Sequence, residues 1–201
     1  MENKKSAKRA ALKERLTDAA EGLIAENGLR GLKARDIAAR AQCALGGLYT
    51  AVDGLDQLIL LVNSRTLNRL GQASLAAVPA QTSPGERMHI LGQVYARFAL
   101  ENVNLWSALF AHRLPDGQET PEWLRAEFAA LIQQIVAPLS ELRPDLDGQA
   151  LQQRAKTLFA AVHGVVHMSI HGFDVGAPPK QLTSEIEALI NAMMGGINTS
   201  A

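Results

Sequence analysis

The chain has 201 residues and a formal net charge of zero, but the charge is divided: residues 1–50 hold ten Lys and Arg against six Asp and Glu, and residues 51–201 hold ten against fourteen. A single cysteine, Cys43, excludes an internal disulfide framework, and no apolar run reaches transmembrane length. The basic segment Met1 to Leu16 lacks the apolar core of a secretory signal, so the chain reads as soluble and cytoplasmic, with no membrane partner.

The chain is rich in Ala and Leu, and no stretch alternates convincingly as a strand. Helical spacing begins at Lys8, where Ala11, Leu12, Leu16, Ala19, Ala20, Leu23 and Ile24 recur at three and four residues. Asn27-Gly28 stops that helix. Two short helices follow, at about Lys33–Ala41 and Ala44–Thr50. Ile37, Ala38, Ala41, Cys43 and Leu48 face inward, and polar and small residues are left outward along the second helix. That is the layout of a helix-turn-helix, whose second helix can enter a DNA major groove. The basic N-terminal quarter suits a polyanion partner, or is ordinary solvated helix surface. Cys43 holds a place that wants a small apolar side chain, so a packed thiol is expected rather than a redox sensor.

Asp53-Gly54 breaks the chain, and an amphipathic helix runs from about Leu55 to Val78. Ser83-Pro84-Gly85-Glu86 combines an N-cap serine, a proline at the first helical position and a glutamate three residues on, and opens a helix toward Glu101. Further helices are expected at Leu105–Arg113, from Thr120-Pro121-Glu122 to about Leu142 with Pro138 bending or ending it, from about Ala150 to Phe173, and from Ser184 through Met194. Gly195-Gly196 should end the last one, leaving a frayed tail. The expectation is an all-α protein of about nine helices. It has a three-helix DNA-binding domain at residues 8–54, with its motif at about 33–52, and a C-terminal helical bundle at residues 55–196 that would pair and control two such readers.

The run Gly28-Leu-Arg-Gly-Leu-Lys-Ala-Arg-Asp-Ile-Ala-Ala-Arg-Ala41, then Gly46-Gly-Leu-Tyr49, then Leu55-Asp-Gln-Leu58, resembles the TetR-type (TetR/AcrR) transcriptional regulators over about residues 8–62. Asn104-Leu-Trp106, Phe110 and Val162-His163-Gly164 resemble that family's C-terminal class with a late His-Gly (WHG-like) motif. The resemblance implies an all-helical homodimer on a pseudo-palindromic double-stranded DNA operator, relieved by a small molecule bound in the C-terminal domain. The chain departs from the family at Gln42, where Gly is frequent in the turn, at Leu45 and Val52, and at Leu55, where a phosphate-binding Lys is usual.

The resemblance puts Ala44, Leu45, Gly46, Gly47, Tyr49 and Thr50 on or beside the groove, with Lys33 and Arg35 at the start of the preceding helix, placed for phosphate. Leu45 can press on a thymine methyl, and Thr50 can reach a base edge or a phosphate. Tyr49 would send its hydroxyl to phosphate, or is structural. The glycine pair suits a close approach to DNA, or is a loose helix held by its neighbours. Arg40 is a contact or a surface charge. Lys4, Lys5, Lys8 and Arg9 form a minor-groove arm or a disordered tail.

In the C-terminal part, Tyr95, Phe98, Trp106, Phe110, His112 and Phe159 wall a ligand pocket or are core. His163, His167 and His171 fall at four-residue spacing on one helix. No carboxylate or cysteine completes a metal set, so His163 and His167 are expected to line the ligand cavity or a dimer seam, with no metal and no cofactor. The last two helices of each subunit would form a four-helix dimer contact. Three readings stand: a ligand-released repressor, a TetR-like dimeric sensor or interaction module with weakened DNA binding, and a His- or metal-dependent enzyme. No nucleophile motif, phosphate loop or carboxylate pair supports the third, so the expectation is a non-enzyme.

Overall fold

The computed structural model describes residues 2–197, and the tail from Asn198 lies outside the described residues. Among those residues there are nine α-helices and no strand. They are α1 (Glu2–Asn27), α2 (Ala34–Arg40), α3 (Leu45–Ala51), α4 (Leu55–Ala77), α5 (Pro84–Glu101), α6 (Val103–Ala111), α7 (Glu122–Leu142), α8 (Gly148–Ile170) and α9 (Leu182–Ile197), with a 3-10 turn at Leu29–Gly31.

The local chemistry accounts for most helix ends. Gly28, at φ 69°, leaves α1 in the left-handed region that glycine enters without strain. Ser83 Oγ accepts from the Glu86 N–H at 3.3 Å, with Pro84 in the first position of α5, as the capping box predicts. Asp147 caps α8 by accepting from the Ala150 N–H at 2.8 Å.

Two expectations are corrected, and of the two readings of Pro138 the one that ends the helix falls. α1 starts at Glu2, so Lys4, Lys5, Lys8 and Arg9 are helical residues and form no separate arm. α7 continues through Pro138, which costs one backbone hydrogen bond without ending the helix. α9 runs through Gly195-Gly196 to Ile197, since glycine weakens a helix by only about 1 kcal/mol per residue.

The chain divides into two compact units. One comprises residues 2–66 and 102–124, the other residues 67–101 and 125–197. In the first, α1, α2, α3, α6 and the start of α4 enclose a core of Leu16, Ile24, Ile37, Leu48, Leu58 and Val62, all without solvent exposure. Arg65 of α4 binds Glu14, Asp18 (2.7 Å) and Glu21 (3.0 Å) of α1, fastening those helices edge to edge. Asn104 of α6 donates to the Ala25 carbonyl at 2.8 Å, satisfying one of the last carbonyls of α1.

In the second unit, α5 packs most closely on α9, and α8 packs on both. Gly92 makes the α5–α9 approach possible: a methyl there would stand 2.3 Å from Ile190 Cδ1. Leu182, Ile186 and Ile190 turn the apolar face of α9 into this core.

Candidate functional site

The helix-turn-helix is built from a buried seam and an exposed face. Ile37 and Leu48 have no solvent exposure, and Ala38, Ala41 and Ala51 are buried beside them. α2 ends in a Schellman motif: the Cys43 N–H bonds to the Ala38 carbonyl at 3.0 Å and the Gln42 N–H to the Ala39 carbonyl at 3.1 Å. This closure places Gln42 at φ 53°, among the described residues the one non-glycine in the left-handed region. That conformation explains why glycine suits this turn. Cys43 is half-buried against the core, as a packed thiol would be.

The opposite face is open. Tyr49 is 58% exposed and Leu45 38%. Lys33, Arg35, Ala44, Gly46 and Thr50 are exposed as well, and Gly47 is half-exposed. Gly46 has no protein atom within 4 Å of where a Cβ would stand, whereas a Cβ on Gly47 would touch Cys43 and Leu12. The Thr50 hydroxyl donates to the Gly46 carbonyl at 2.8 Å, which leaves its oxygen as an acceptor for an outside donor. The eight residues singled out from sequence thus lie on the turn, on α3 or at the start of α2, and none is fully buried.

Arg40 serves the fold. Its guanidinium makes a bidentate pair with Glu26, both bonds 2.7 Å, and rests over Gly22, where a methyl would lie 2.8 Å from it. The pair holds the Glu26 carboxyl below its ordinary pKa, chiefly through the hydrogen bond. A surface groove of about 260 Å³ lies where α1 meets the α3–α4 corner, bordered by Arg9, Lys13, Ala51, Asp53 and Gln57.

The second unit holds a partly open cavity of about 70 Å³. Tyr95 and Phe159 line it. The Tyr95 hydroxyl is 2.7 Å from His163 Nδ1, and its ring meets Phe159 edge-on, centroids 5.4 Å apart. Phe159, His163 and His167 then stack along α8 at centroid spacings of 5.8 and 5.7 Å. Burial, with a smaller contribution from His167, pushes the His163 pKa below its ordinary value. Phe98, His163 and His167 are half-buried in this unit and are not among the residues bordering the cavity.

Trp106, Phe110 and His112 lie in the first unit. Trp106 is fully buried with its ring 5.3 Å from Phe110, and His112 Nε2 is 3.4 Å from Asp56 Oδ1. Burial lowers the His112 pKa, and Asp56 partly offsets it. Much of the cavity wall comes from residues that carry no chemical signature in sequence, among them Leu70 and Ser74 of α4, Gly92 of α5, and Leu131, Gln134 and Ile135 of α7. Among the described residues no three His, Cys, Asp or Glu side chains converge to hold a metal, and no single helix is long and apolar enough to cross a membrane.

Comparison with known proteins extends this picture. A protein of unknown function from Rhodococcus sp. RHA1 superposes with a TM-score of 0.75 at 21% identity, covering 92% of this chain and 94% of its own. A TetR-like transcriptional regulator from the same organism superposes with a TM-score of 0.63 at 19% identity, covering 93% and 97%. At such identities the likeness is one of fold. No curated protein matches the chain by sequence. The model of the tetracyclin repressor-like C-terminal domain matches residues 88–193, more than half of the 201 residues, and speaks to the family rather than to the narrower His-Gly class. With that family model matched over more than half of its length, on a fold shared over 93% of the chain, the chain belongs to the tetracyclin repressor-like family.

Proposed function

We propose that the protein is a DNA-binding transcriptional repressor, released from its operator by a small molecule bound in the C-terminal part. Residues 8–54 act as the reader and residues 55–196 as the sensing and pairing part. The observation that carries this reading is the division of α3: Leu48 is wholly buried while Tyr49, Leu45, Ala44, Gly46 and Thr50 stand in solvent with Lys33 and Arg35. A short helix fixed by its inner face and bare on its outer one is the form a major-groove reader takes.

A homodimer supplies two such helices to a pseudo-palindromic duplex. Its seam is assigned to α8 and α9. On α8, Ala160 and Met168 are exposed, and Gly164, with no atom within 4 Å of a would-be Cβ, lies between them in sequence at four-residue spacing. On α9, Ala188 and Ala192 are exposed at the same spacing. Such small-residue stripes let partner helices approach closely.

A gel-shift assay against the DNA just upstream of the protein's own coding region tests the reading. Tyr49→Phe and Arg35→Ala should weaken binding on every sequence, because phosphate contacts position the protein and do not specify bases. Unchanged affinity for both would overturn it. A second reading, a dimeric sensor with weakened DNA binding, is favoured by the side chains of Ala44, Leu45, Gly46 and Gly47, none of which can hydrogen-bond a base. A regulated dimer that fails to shift any duplex would select it.

A further inference from the structure

We propose that the cavity of the C-terminal unit takes an uncharged, mainly aliphatic molecule, admitted between α4 and α7 and held at one end by the Gln134 amide. This rests on the reading of that unit as the effector-binding part.

The chemistry of the wall sets the ligand class. Leu70, Met88, Leu91, Ile135, Leu158 and Ile190 dominate it, and no Asp, Glu, Lys, Arg or His borders the cavity. A charged ligand would be buried there without a counter-charge, which is strongly unfavourable. The polar groups on the wall are Ser74, Tyr95 and Gln134. Tyr95 already directs its hydroxyl to His163 at 2.7 Å. Gln134 Nε2 reaches the Gly71 carbonyl over 3.3 Å, a long bond that an incoming hydroxyl or carbonyl can replace.

The route follows from a second cavity. A surface groove of about 190 Å³ along α4 and α7 is bordered by Leu67, Gly71, Leu75 and Ala130 together with the polar Asn68, Gln72 and Glu127, none of which borders the first cavity, and shares Leu131 and Gln134 with it. Those two side chains, packed over Gly71, form the partition: a methyl on Gly71 would sit 3.4 Å from Leu131 Cδ2. The space of 70 Å³ is below the roughly 300 Å³ of sites for drug-sized ligands, so seating such a ligand requires the partition to move.

α7 is the element able to move. Phe128, Leu131, Ile132, Ile135 and Val136 are only half-buried, whereas Leu139 near its C-terminal end is fully buried and Glu141 pairs with Arg87. Pro138 stands between the two parts and offers no N–H to the Gln134 carbonyl, which weakens the helix at that point. The segment before Pro138 swings outward, joining groove and cavity into one slot.

The test uses the full chain and three probes: 1-decanol, decanoate and decyltrimethylammonium. Binding is followed by isothermal titration calorimetry and by the melting temperature. The expected result is binding of 1-decanol, with both charged probes weaker by at least about tenfold. Gln134→Leu should weaken 1-decanol about three- to tenfold, the loss of one hydrogen bond. Leu131→Trp should block entry while keeping the helical circular dichroism spectrum. No binding of 1-decanol, equal binding of a charged probe, or undiminished binding by Leu131→Trp overturns the assignment. Operator affinity measured in the same samples separates the two readings. Selective binding of 1-decanol without loss of operator affinity leaves the site standing and removes the effector role. Operator release by a charged probe alone keeps the effector role and removes this site.

Discussion

Gly46 offers the sharpest perturbation, because stability and DNA binding should respond to it in opposite directions. It lies on the first turn of α3, exposed, and a methyl there meets no protein atom within 4 Å. Nothing inside the fold requires glycine. Gly46→Ala restricts the unfolded chain and favours the helix, worth about 0.5–1 kcal/mol of added stability. If the backbone at Gly46 lies against a base edge or a phosphate, the same methyl overpacks that contact, at about 1–3 kcal/mol. At about 1.4 kcal/mol per decade this is roughly a 5- to 150-fold weaker Kd. Urea unfolding reads the first effect as a higher midpoint at unchanged slope, and fluorescence anisotropy of a labelled operator duplex at fixed salt reads the second. A variant that is more stable and binds as tightly as the parent refutes the close approach and makes Gly46 a residue the helix merely tolerates.

Gln42→Gly should stabilise the N-terminal unit by about 0.5–1 kcal/mol, since the left-handed region costs a non-glycine residue about 1–2 kcal/mol and the freer unfolded glycine returns part of that; a lower urea midpoint would argue against the Schellman turn. Gly92→Ala should destabilise the C-terminal unit by about 1–3 kcal/mol despite the better helix former, and Ile190→Val in the same chain should recover most of the loss by removing the atom 2.3 Å away, so strictly additive losses would count against the packing. His112 and His163 both have pKa values lowered from 6.5 by burial, so the unfolded chain binds more protons just below 6.5; stability should be full above that pH and fall as the solution is acidified through the folded values. Melting temperatures at about pH 7.5 and about pH 5.5 check this, with a smaller drop expected for His163→Phe and a flat profile opposing it.

The helices and the DNA-facing surface were legible because both are local. Apolar spacing fixed the buried sides of α1 to α4, and the turn chemistry of Asn27-Gly28, Asp53-Gly54 and Ser83-Pro84 marked where helices change. A helix-turn-helix is specified within about twenty residues, so inward Ile37 and Leu48 imply outward Tyr49. The cavity was only partly legible. Tyr95 and Trp106 are close in sequence, but the chain passes from one unit to the other between Glu101 and Asn102, so aromatics that look like one cluster are divided. The residues that shape the cavity, Gly71, Gly92, Leu131 and Gln134, come from three helices far apart in sequence. Nothing in a glycine or a glutamine announces which distant helix it will meet.

Leu55 bears on the choice between a repressor and a sensor. Lysine is usual there, but in this chain Leu55 is half-buried against the core of the N-terminal unit and brings no positive charge to the start of α4. Charge arrives from another helix: Arg9 and Lys13 of α1 border the groove at the α3–α4 corner beside Gln57, whose side-chain oxygen accepts from the Asp53 N–H at 2.8 Å. Asp53 borders the same groove and repels a phosphate, so the two cations must outweigh one carboxylate. If they do, Arg9→Gln with Lys13→Gln should weaken operator binding evenly across sequences and flatten the slope of log K against log salt by about 1.8, roughly 0.9 for each lost phosphate contact, while Asp53→Asn should strengthen binding. An unchanged salt slope in the double variant means that α1 does not face the duplex. Leu55 would then mark a real loss of backbone grip, and the balance would move to a sensor that has kept the dimer and given up the operator.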